Sequence, residues 1–192
     1  MFEINFNKIM QELVSEDFET QCTALESVRD LNEAIVEQAI KGFETSQAPD
    51  LIIEGLANIG FIVRQKLESF VETSKETEKI TLASIVLLYL GSRKGVENVI
   101  NEFVNQGKHE ILAVGKLVQA QVPKTGDIII ERLRKFSLEE LQDAKKAIYV
   151  DSLLRYLNQL KTPLPKDLEE SFEKIKDSPA YKYYSFPHCI ST

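Results

Sequence analysis

Apolar residues recur along this chain at helical spacing, every third and fourth position. The clearest case is Val96, Val99, Ile100, Phe103 and Val104, which occupy i, i+3, i+4, i+7 and i+8. This spacing places the five side chains on one face of an α-helix. No segment with the alternating pattern of a β-strand separates the helical segments. We therefore predict an all-α protein of about ten helices.

Further segments repeat the same pattern and complete the predicted fold. They are Phe6, Ile9, Met10, Leu13 and Val14; Val63, Leu67, Phe70 and Val71; and Leu168, Phe172 and Ile175. Helices of about 12 residues are marginal alone, because most of their stability comes from burying the apolar face against neighbours. Stacked helical hairpins are therefore expected.

Two helix starts are predicted in the N-terminal part. Ser15 is expected to cap a helix whose first turn carries Glu16, Asp17 and Glu19, which are favourable at the positive end of the helix dipole. Asn32 is expected to cap the next helix. The polar segment 72–79 is expected to be a loop.

The strongest local signal lies around Ser137. With Glu140 three residues later, Ser137 has the spacing of a capping box, and Phe136 can pack on Leu141 across the turn. A helix is predicted to begin here. The substitution Ser137→Ala is expected to lower the free energy of unfolding by about 1 kcal/mol. Whether the following apolar pattern forms one helix or two broken near residues 150–151 is left open.

An internal similarity indicates a repeat. The segment GVENVINEFV from Gly95 matches GDIIIERLRK from Gly126 at a shift of 31 residues, with Val99 over Ile130. Helix pairs that recur at roughly 30 to 45 residues are typical of helical solenoids. Over residues 17–161 the chain resembles HEAT and armadillo-like repeat proteins. The resemblance implies one domain, residues 1–192, wound as a short right-handed superhelix with a C-terminal cap; the alternative is an irregular helical bundle.

Charge is unevenly distributed. The net charge is −7, and residues 1–80 carry 16 acidic and 7 basic side chains, against 14 and 16 in residues 81–192. An acidic surface attracts basic partners and repels phosphate backbones. The basic residues interleave with acidic ones and tryptophan is absent, so we expect no nucleic-acid binding; they are Lys124, Arg132, Arg134, Lys135, Lys145 and Lys146.

Standard catalytic and cofactor motifs are missing from the sequence. There is no glycine-rich phosphate loop, no His-Glu-x-x-His and no Gly-x-Ser-x-Gly. We therefore expect no cofactor, no metal and no catalytic residue. Cys22, on an apolar stripe with Phe18 and Leu25, is interpreted as a core residue. The N-terminal sequence does not resemble a secretory signal and the longest apolar run, residues 80–90, is too short to span a bilayer, so a cytoplasmic protein without membrane contact is expected.

Two surfaces are candidates for partner binding. Glu26 and Asp30 on one predicted helix can adjoin Glu33 and Glu37 on the next, and together with Glu16, Asp17 and Glu19 they can form an acidic ridge. The alternative is an ordinary solvated face. The second candidate is the aromatic tail, residues 177–192, which either caps the last helices or docks on a partner; its aromatic residues are Tyr181, Tyr183, Tyr184 and Phe186.

These features favour a non-catalytic protein–protein interaction module whose partner has a basic surface. A more specific hypothesis is a small cytosolic inhibitor, such as an immunity protein that neutralises a toxin. The alternatives are a scaffold with another partner, and an enzyme or accessory subunit of a helical-repeat enzyme such as a chromophore lyase.

Overall fold

The computed structural model describes residues 6–43 and 45–174, together with residues 179 and 182. Of the described part of the chain, 74% is helical and none is β-strand, which confirms the all-α prediction. By compactness the chain forms two units, Met1–Val99 and Ile100–Thr192. The boundary falls within helix α6, Val96–Val104.

The N-terminal unit contains five helices before α6. They are α1 (Phe6–Leu13), α2 (Phe18–Gly42), α3 (Pro49–Ile59), α4 (Phe61–Thr73) and α5 (Thr77–Tyr89). Contacts join α2 to α1, α3 and α4, and join α5 to α3 and α4. Helix α5 is the centre of the unit, because every residue from Thr81 to Leu88 is buried. A helix that is apolar all round requires neighbours on all sides.

Helix α2 differs from the prediction for this region. It runs without a break for 25 residues, so the helix start predicted at Asn32 is wrong. The predicted cap at Ser15 is also wrong: the Asp17 carboxylate accepts the backbone N–H of Thr20 at 2.8 Å and caps the helix. The Ser15 hydroxyl instead accepts the N–H of Asp17 at 3.1 Å and shapes the preceding turn.

The loop predicted at residues 72–79 is mostly helix. Only residues 74–76 connect α4 to α5. Lys79, which made the segment look solvated, is 9% exposed, and its ammonium pairs with the Glu76 carboxylate at 2.6 Å. A lysine can bury its methylene stem while its charge reaches a partner, so a polar segment is compatible with the buried start of a helix.

Up to residue 174, the C-terminal unit contains the end of α6 and five further elements. They are α7 (Glu110–Gln119), α8 (Thr125–Leu133), a 3₁₀ turn (Glu140–Gln142), α9 (Ala144–Gln159) and α10 (Lys166–Glu173). Helix α8 contacts α7 and α9, and α7 also contacts α9. The question left open near residues 150–151 is settled in favour of one continuous helix, α9.

The capping box around Ser137 forms, but it begins a different element. The Ser137 hydroxyl accepts the N–H of Glu140 at 3.2 Å, and the Glu140 carboxylate accepts the N–H of Ser137 at 3.0 Å. These bonds stabilise the 3₁₀ turn, so the helix start predicted there is wrong. Helix α9 is capped by Asp143, whose carboxylate accepts the N–H of Lys146 at 2.9 Å.

Four helices end in the same backbone turn. In the turn after α5, the N–H of Gly91 donates to the carbonyl oxygen of Leu88, and the N–H of Ser92 donates to the carbonyl oxygen of Leu87. Gly91 itself has a positive φ. This is a Schellman motif. The same pair of bonds follows α6, α7 and α9, with Gln106, Gln121 and Lys161 as the left-handed residues.

Three of these turns are evenly spaced along the chain. The left-handed residues Gly91, Gln106 and Gln121 follow one another at 15-residue intervals, which makes 30 residues per helix pair. The sequence similarity at a shift of 31 residues places Gly95, which precedes α6 with φ +78°, over Gly126, which lies inside α8.

Gly95 and Gly91 provide a matched test of packing at the α5–α6 connection. Both have positive φ, but a Cβ on Gly95 would collide with the side chain of Ser84, whereas one on Gly91 would meet open space. Gly91→Ala is expected to lower the free energy of unfolding by about 1–2 kcal/mol, because a residue with a Cβ is disfavoured in the left-handed conformation. Gly95→Ala is expected to cost about 1–3 kcal/mol more from overpacking. Equal denaturation midpoints for the two variants would contradict this assignment.

The two caps of the C-terminal unit also form a matched pair. Asp143→Ala is expected to lower the free energy of unfolding by about 1 kcal/mol, because it removes the N-cap of the 16-residue helix α9. Ser137→Ala is expected to cost less, because it releases only a 3₁₀ turn. Urea denaturation measures both, and Asp143→Asn, which keeps an acceptor oxygen, is the control. A larger loss for Ser137→Ala would assign the start of the helix to Ser137.

Candidate functional site

Five carboxylates form one line along the outer face of α2. At about 100° per residue, Glu19, Glu26, Asp30, Glu33 and Glu37 fall within an arc of about 60° and extend over about 27 Å. We call this line the acidic stripe. Glu19, Glu26, Asp30 and Glu37 are exposed, and the side chain of Glu33 is 44% exposed. The acidic ridge was expected to span two helices; because α2 is continuous, its members lie on one.

Only part of the stripe is neutralised by neighbouring cations. Glu33 pairs with Lys66 of α4 at 3.1 Å, and Asp30 lies 3.8 Å from Arg29. Among the described residues, Glu19, Glu26 and Glu37 have no ion-pair partner. Exposed like charges on one helix face repel one another. A cationic surface that covers such a face relieves this repulsion and so stabilises the complex.

The two other acidic residues predicted for the ridge precede the helix. Asp17 is the N-cap, and its carboxylate accepts the Thr20 hydroxyl at 2.6 Å. The bonds from the Thr20 hydroxyl and then the Thr20 N–H lower the pKa of Asp17. Glu16 is exposed in the turn between α1 and α2. Asp17 therefore has a structural role that accounts for its position.

An apolar strip flanks the acidic stripe at the start of α2. Phe18 and Leu25, two helical turns apart, are 75% and 60% exposed, and Cys22 between them is a half-buried free cysteine. The prediction that Cys22 is a core residue is wrong, because its side chain is only half-buried. Helical spacing identifies an apolar face but not whether a neighbouring element covers it. Exposed aromatic and aliphatic side chains beside charges are typical of protein-binding surfaces.

Three of the six basic residues considered for nucleic acid are held by contacts within the chain. Arg132 is buried, at 5% exposure. Arg134 pairs with Glu131 at 2.6 Å and with Asp167 at 3.0 Å, and both bonds raise its pKa. Lys146 pairs with Glu140 at 2.5 Å. Lys124, Lys135 and Lys145 are exposed.

Arg132 organises a polar cluster inside the C-terminal unit. Its Nη2 donates to the carbonyl oxygens of Phe103 and Val104 at the end of α6, and lies 3.4 Å from the Glu110 carboxylate. The guanidinium also lies over the Phe103 ring, 5.1 Å from its centroid. Arginine thus satisfies the terminal carbonyls of α6, a favourable position for a cation. The sequence shows Arg132 on a helix but not the carbonyl oxygens it reaches.

Tyr149 completes this cluster. Its hydroxyl donates to the Glu110 carboxylate at 3.4 Å, and its ring packs against Phe136 with centroids 5.8 Å apart. Burial, followed by the negative charge of Glu110, raises the pKa of Tyr149 to about 12. Tyr149 was not among the predicted site residues, because a tyrosine on an amphipathic helix gives no signal that distinguishes it from a packing residue.

The aromatic tail residues Tyr181, Tyr183, Tyr184 and Phe186 lie outside the described residues. Within the described ranges, no three histidine, cysteine or acidic side chains converge closely enough to hold a metal ion. None of the helices in those ranges combines the length and apolar character needed to cross a lipid bilayer.

Comparisons with protein-family models, curated proteins and solved structures give no match to this chain. Its function is therefore inferred from its own residues.

The raised pKa of Tyr149 gives a pH-dependent test of the cluster. Tyrosine in an unfolded chain titrates near pH 10, and Tyr149 in the fold near pH 12. The neutral hydroxyl therefore stabilises the fold fully below about pH 10, and this contribution is lost as the pH rises through about 12. Tyrosinate absorbance of the native protein should contain one component with a midpoint near pH 12 that Tyr149→Phe removes. An unchanged titration curve would show that Tyr149 is not shielded.

Proposed function

We propose that this chain is a non-catalytic protein-binding module that recognises a basic protein surface through α2. The observation that carries the proposal is the acidic stripe: five carboxylates on one narrow face of a 25-residue helix, three of them without a cationic partner in the described part of the chain. A surface that only keeps a protein soluble typically carries charges of both signs interspersed. One sign concentrated in one line favours directed recognition.

The chemistry of the stripe favours a cationic protein as partner. Aligned carboxylates repel the phosphates of nucleic acid and of anionic lipids and attract lysine and arginine side chains. Complementary charge accelerates association and selects against wrongly charged partners, whereas its contribution to final affinity is smaller. Exposed Phe18 and Leu25 beside the stripe supply apolar area that such a complex can bury.

The helical-repeat resemblance is part of the same proposal. Within the N-terminal unit α2 contacts α4 and α3 contacts α5, and within the C-terminal unit α7 contacts α9. Contacts between every second helix are what stacked hairpins produce, and the 15-residue spacing of the turns supports the same interpretation. Repeat proteins of this kind present extended surfaces to protein partners.

A specific form of this function is inhibition of a basic enzyme, such as a toxin neutralised by an immunity protein. An inhibitor needs rapid association more than chemistry of its own, and a concentrated field of opposite charge supplies it. The net charge of −7 and its concentration in residues 1–80 support this form of the proposal.

Charge reversal at the three unpaired positions tests the proposal. The triple variant Glu19→Lys, Glu26→Lys, Glu37→Lys should fold, because these side chains are exposed. It should fail to capture a basic protein that the parent captures from cell extract. With that protein purified, the parent's association rate should fall steeply with salt, and the variant's rate at low salt should be lower by about tenfold or more.

A matched control separates the stripe from total charge. The variant Glu54→Lys, Glu139→Lys, Glu170→Lys changes the net charge equally at exposed positions that have no ion-pair partner among the described residues. It should bind the partner at nearly the parent's rate. Equal loss of binding in both triple variants would show that only net charge matters, and capture by the stripe variant as efficient as by the parent would place the binding surface elsewhere.

A further inference from the structure

One face of α2 is buried towards the C-terminal end of the helix and exposed towards its N-terminal end. At about 100° per residue, four apolar side chains fall within an arc of about 20°; they are Phe18, Leu25, Val36 and Phe43. Val36 and Phe43 are 0% and 2% exposed. Phe18 and Leu25, which belong to the apolar strip, are 75% and 60% exposed. The strip is therefore the uncovered continuation of a packing face.

Helix α4 packs beside the buried part of this face. It contacts α2, and its Lys66 ammonium pairs with the Glu33 carboxylate at the edge of the face at 3.1 Å. On the other side of α2 lies α1, where the Gln21 side chain donates to the Leu13 carbonyl at 3.4 Å. A helix is thus the kind of element that the fold itself places on this face where the face is covered.

We propose that the apolar strip binds an amphipathic helix of the partner, with lysine or arginine along one edge of the apolar face of that helix. The inference rests on the proposed function and names the element by which the basic partner is recognised. Phe18 and Leu25 are seven residues apart, about 10 Å along α2. Apolar side chains on a helix lying alongside recur at the same two-turn spacing. Glu19 and Glu26 directly follow them in sequence, so cations on the adjoining edge lie opposite the acidic stripe.

Charge favours this occupant over the two that the chain itself can supply. A second copy would bring its own acidic stripe beside the first, and like charges repel. The aromatic tail, residues 177–192, has one acidic residue and one lysine, so its charged side chains bring no net positive charge to the stripe. A basic amphipathic helix complements both the apolar strip and the carboxylates beside it.

A model peptide tests the inference on the full chain. The probe consists of two heptads with leucine at the a, d and e positions and lysine elsewhere, and one leucine is replaced by tryptophan. The control peptide has the same residues in an order that spreads the leucines around the helix. Because the chain contains no tryptophan, the tryptophan emission reports the peptide alone. It is followed as protein is added, at a concentration where the peptide by itself is monomeric.

The probe should bind about tenfold or more tightly than the control peptide, and its emission should shift to shorter wavelength as the ring is buried. The double variant Phe18→Ser, Leu25→Ser should lower the affinity for the probe to about that for the control peptide, because it removes the apolar anchors. Equal affinity of the parent for both peptides would overturn the inference, because attraction by charge alone explains that result. Unaltered affinity in the double variant would overturn it as well.

A matched variant controls for the loss of exposed apolar area. Leu51→Ser with Ile148→Ser makes a comparable change outside the strip, at side chains that are 65% and 55% exposed. This variant should bind the probe as tightly as the parent does, and circular dichroism checks that both double variants fold. An equal loss of affinity in the two variants would show that the probe adheres to apolar surface in general, and would contradict the assignment to the strip.

Two further results would assign the strip to another occupant and overturn the inference. A dimer of the full chain that the Phe18→Ser, Leu25→Ser variant no longer forms, measured by analytical ultracentrifugation, would identify a second copy. Probe binding that occurs only after the tail aromatics are replaced by serine would identify the tail as the occupant; these residues are Tyr181, Tyr183, Tyr184 and Phe186.

Failure of this inference is distinguishable from failure of the proposed function. If capture of the basic protein depends on the acidic stripe but the parent does not bind the probe, the inference fails and the proposed function stands. If the stripe variant captures that protein as efficiently as the parent does, the proposed function fails, whatever the peptides do.

Discussion

The burial of α5 on all sides is the constraint on which the N-terminal unit depends. Eight consecutive buried residues, Thr81 to Leu88, leave no face of the middle of this helix for water, so α3 and α4 must pack against it. Its polar groups are satisfied locally: the Ser84 hydroxyl donates to the Ile80 carbonyl at 2.7 Å and accepts from Asn98 at 3.2 Å. Helix α2, in contrast, buries only Ala24 and Val36 among its 25 residues. Its outer face is therefore free to carry the acidic stripe.

Much of the fold follows from local patterns in the sequence, because helix periodicity and helix ends are encoded within a few residues. Pro49 begins α3 and Gly60, at φ +87°, ends it, as their backbone preferences dictate. Predictions failed where a residue that can cap a helix is not required to do so. Asn32 costs only a few tenths of a kcal/mol in a helix interior, which the contacts of α2 with α1, α3 and α4 easily outweigh.

The candidate sites were less predictable than the fold, for two physical reasons. Phe18 and Leu25 have the spacing of a buried face, and only the arrangement of neighbouring helices determines that they are exposed. Arg132 is indistinguishable in sequence from a surface cation, and the carbonyl oxygen that holds it belongs to Phe103, 29 residues earlier. The acidic residues, in contrast, were identified correctly as exposed, because a cluster of carboxylates has nowhere else to lie. Their alignment required the unbroken α2.

In the proposed function, the acidic stripe would act on a partner before contact is made. The stripe acts through exposed charges whose field extends about 8 Å at physiological salt, so it can orient an approaching partner without fixing individual contacts. In the proposed complex, exposed Phe18 and Leu25 beside the stripe would add short-range selectivity to that of the charges.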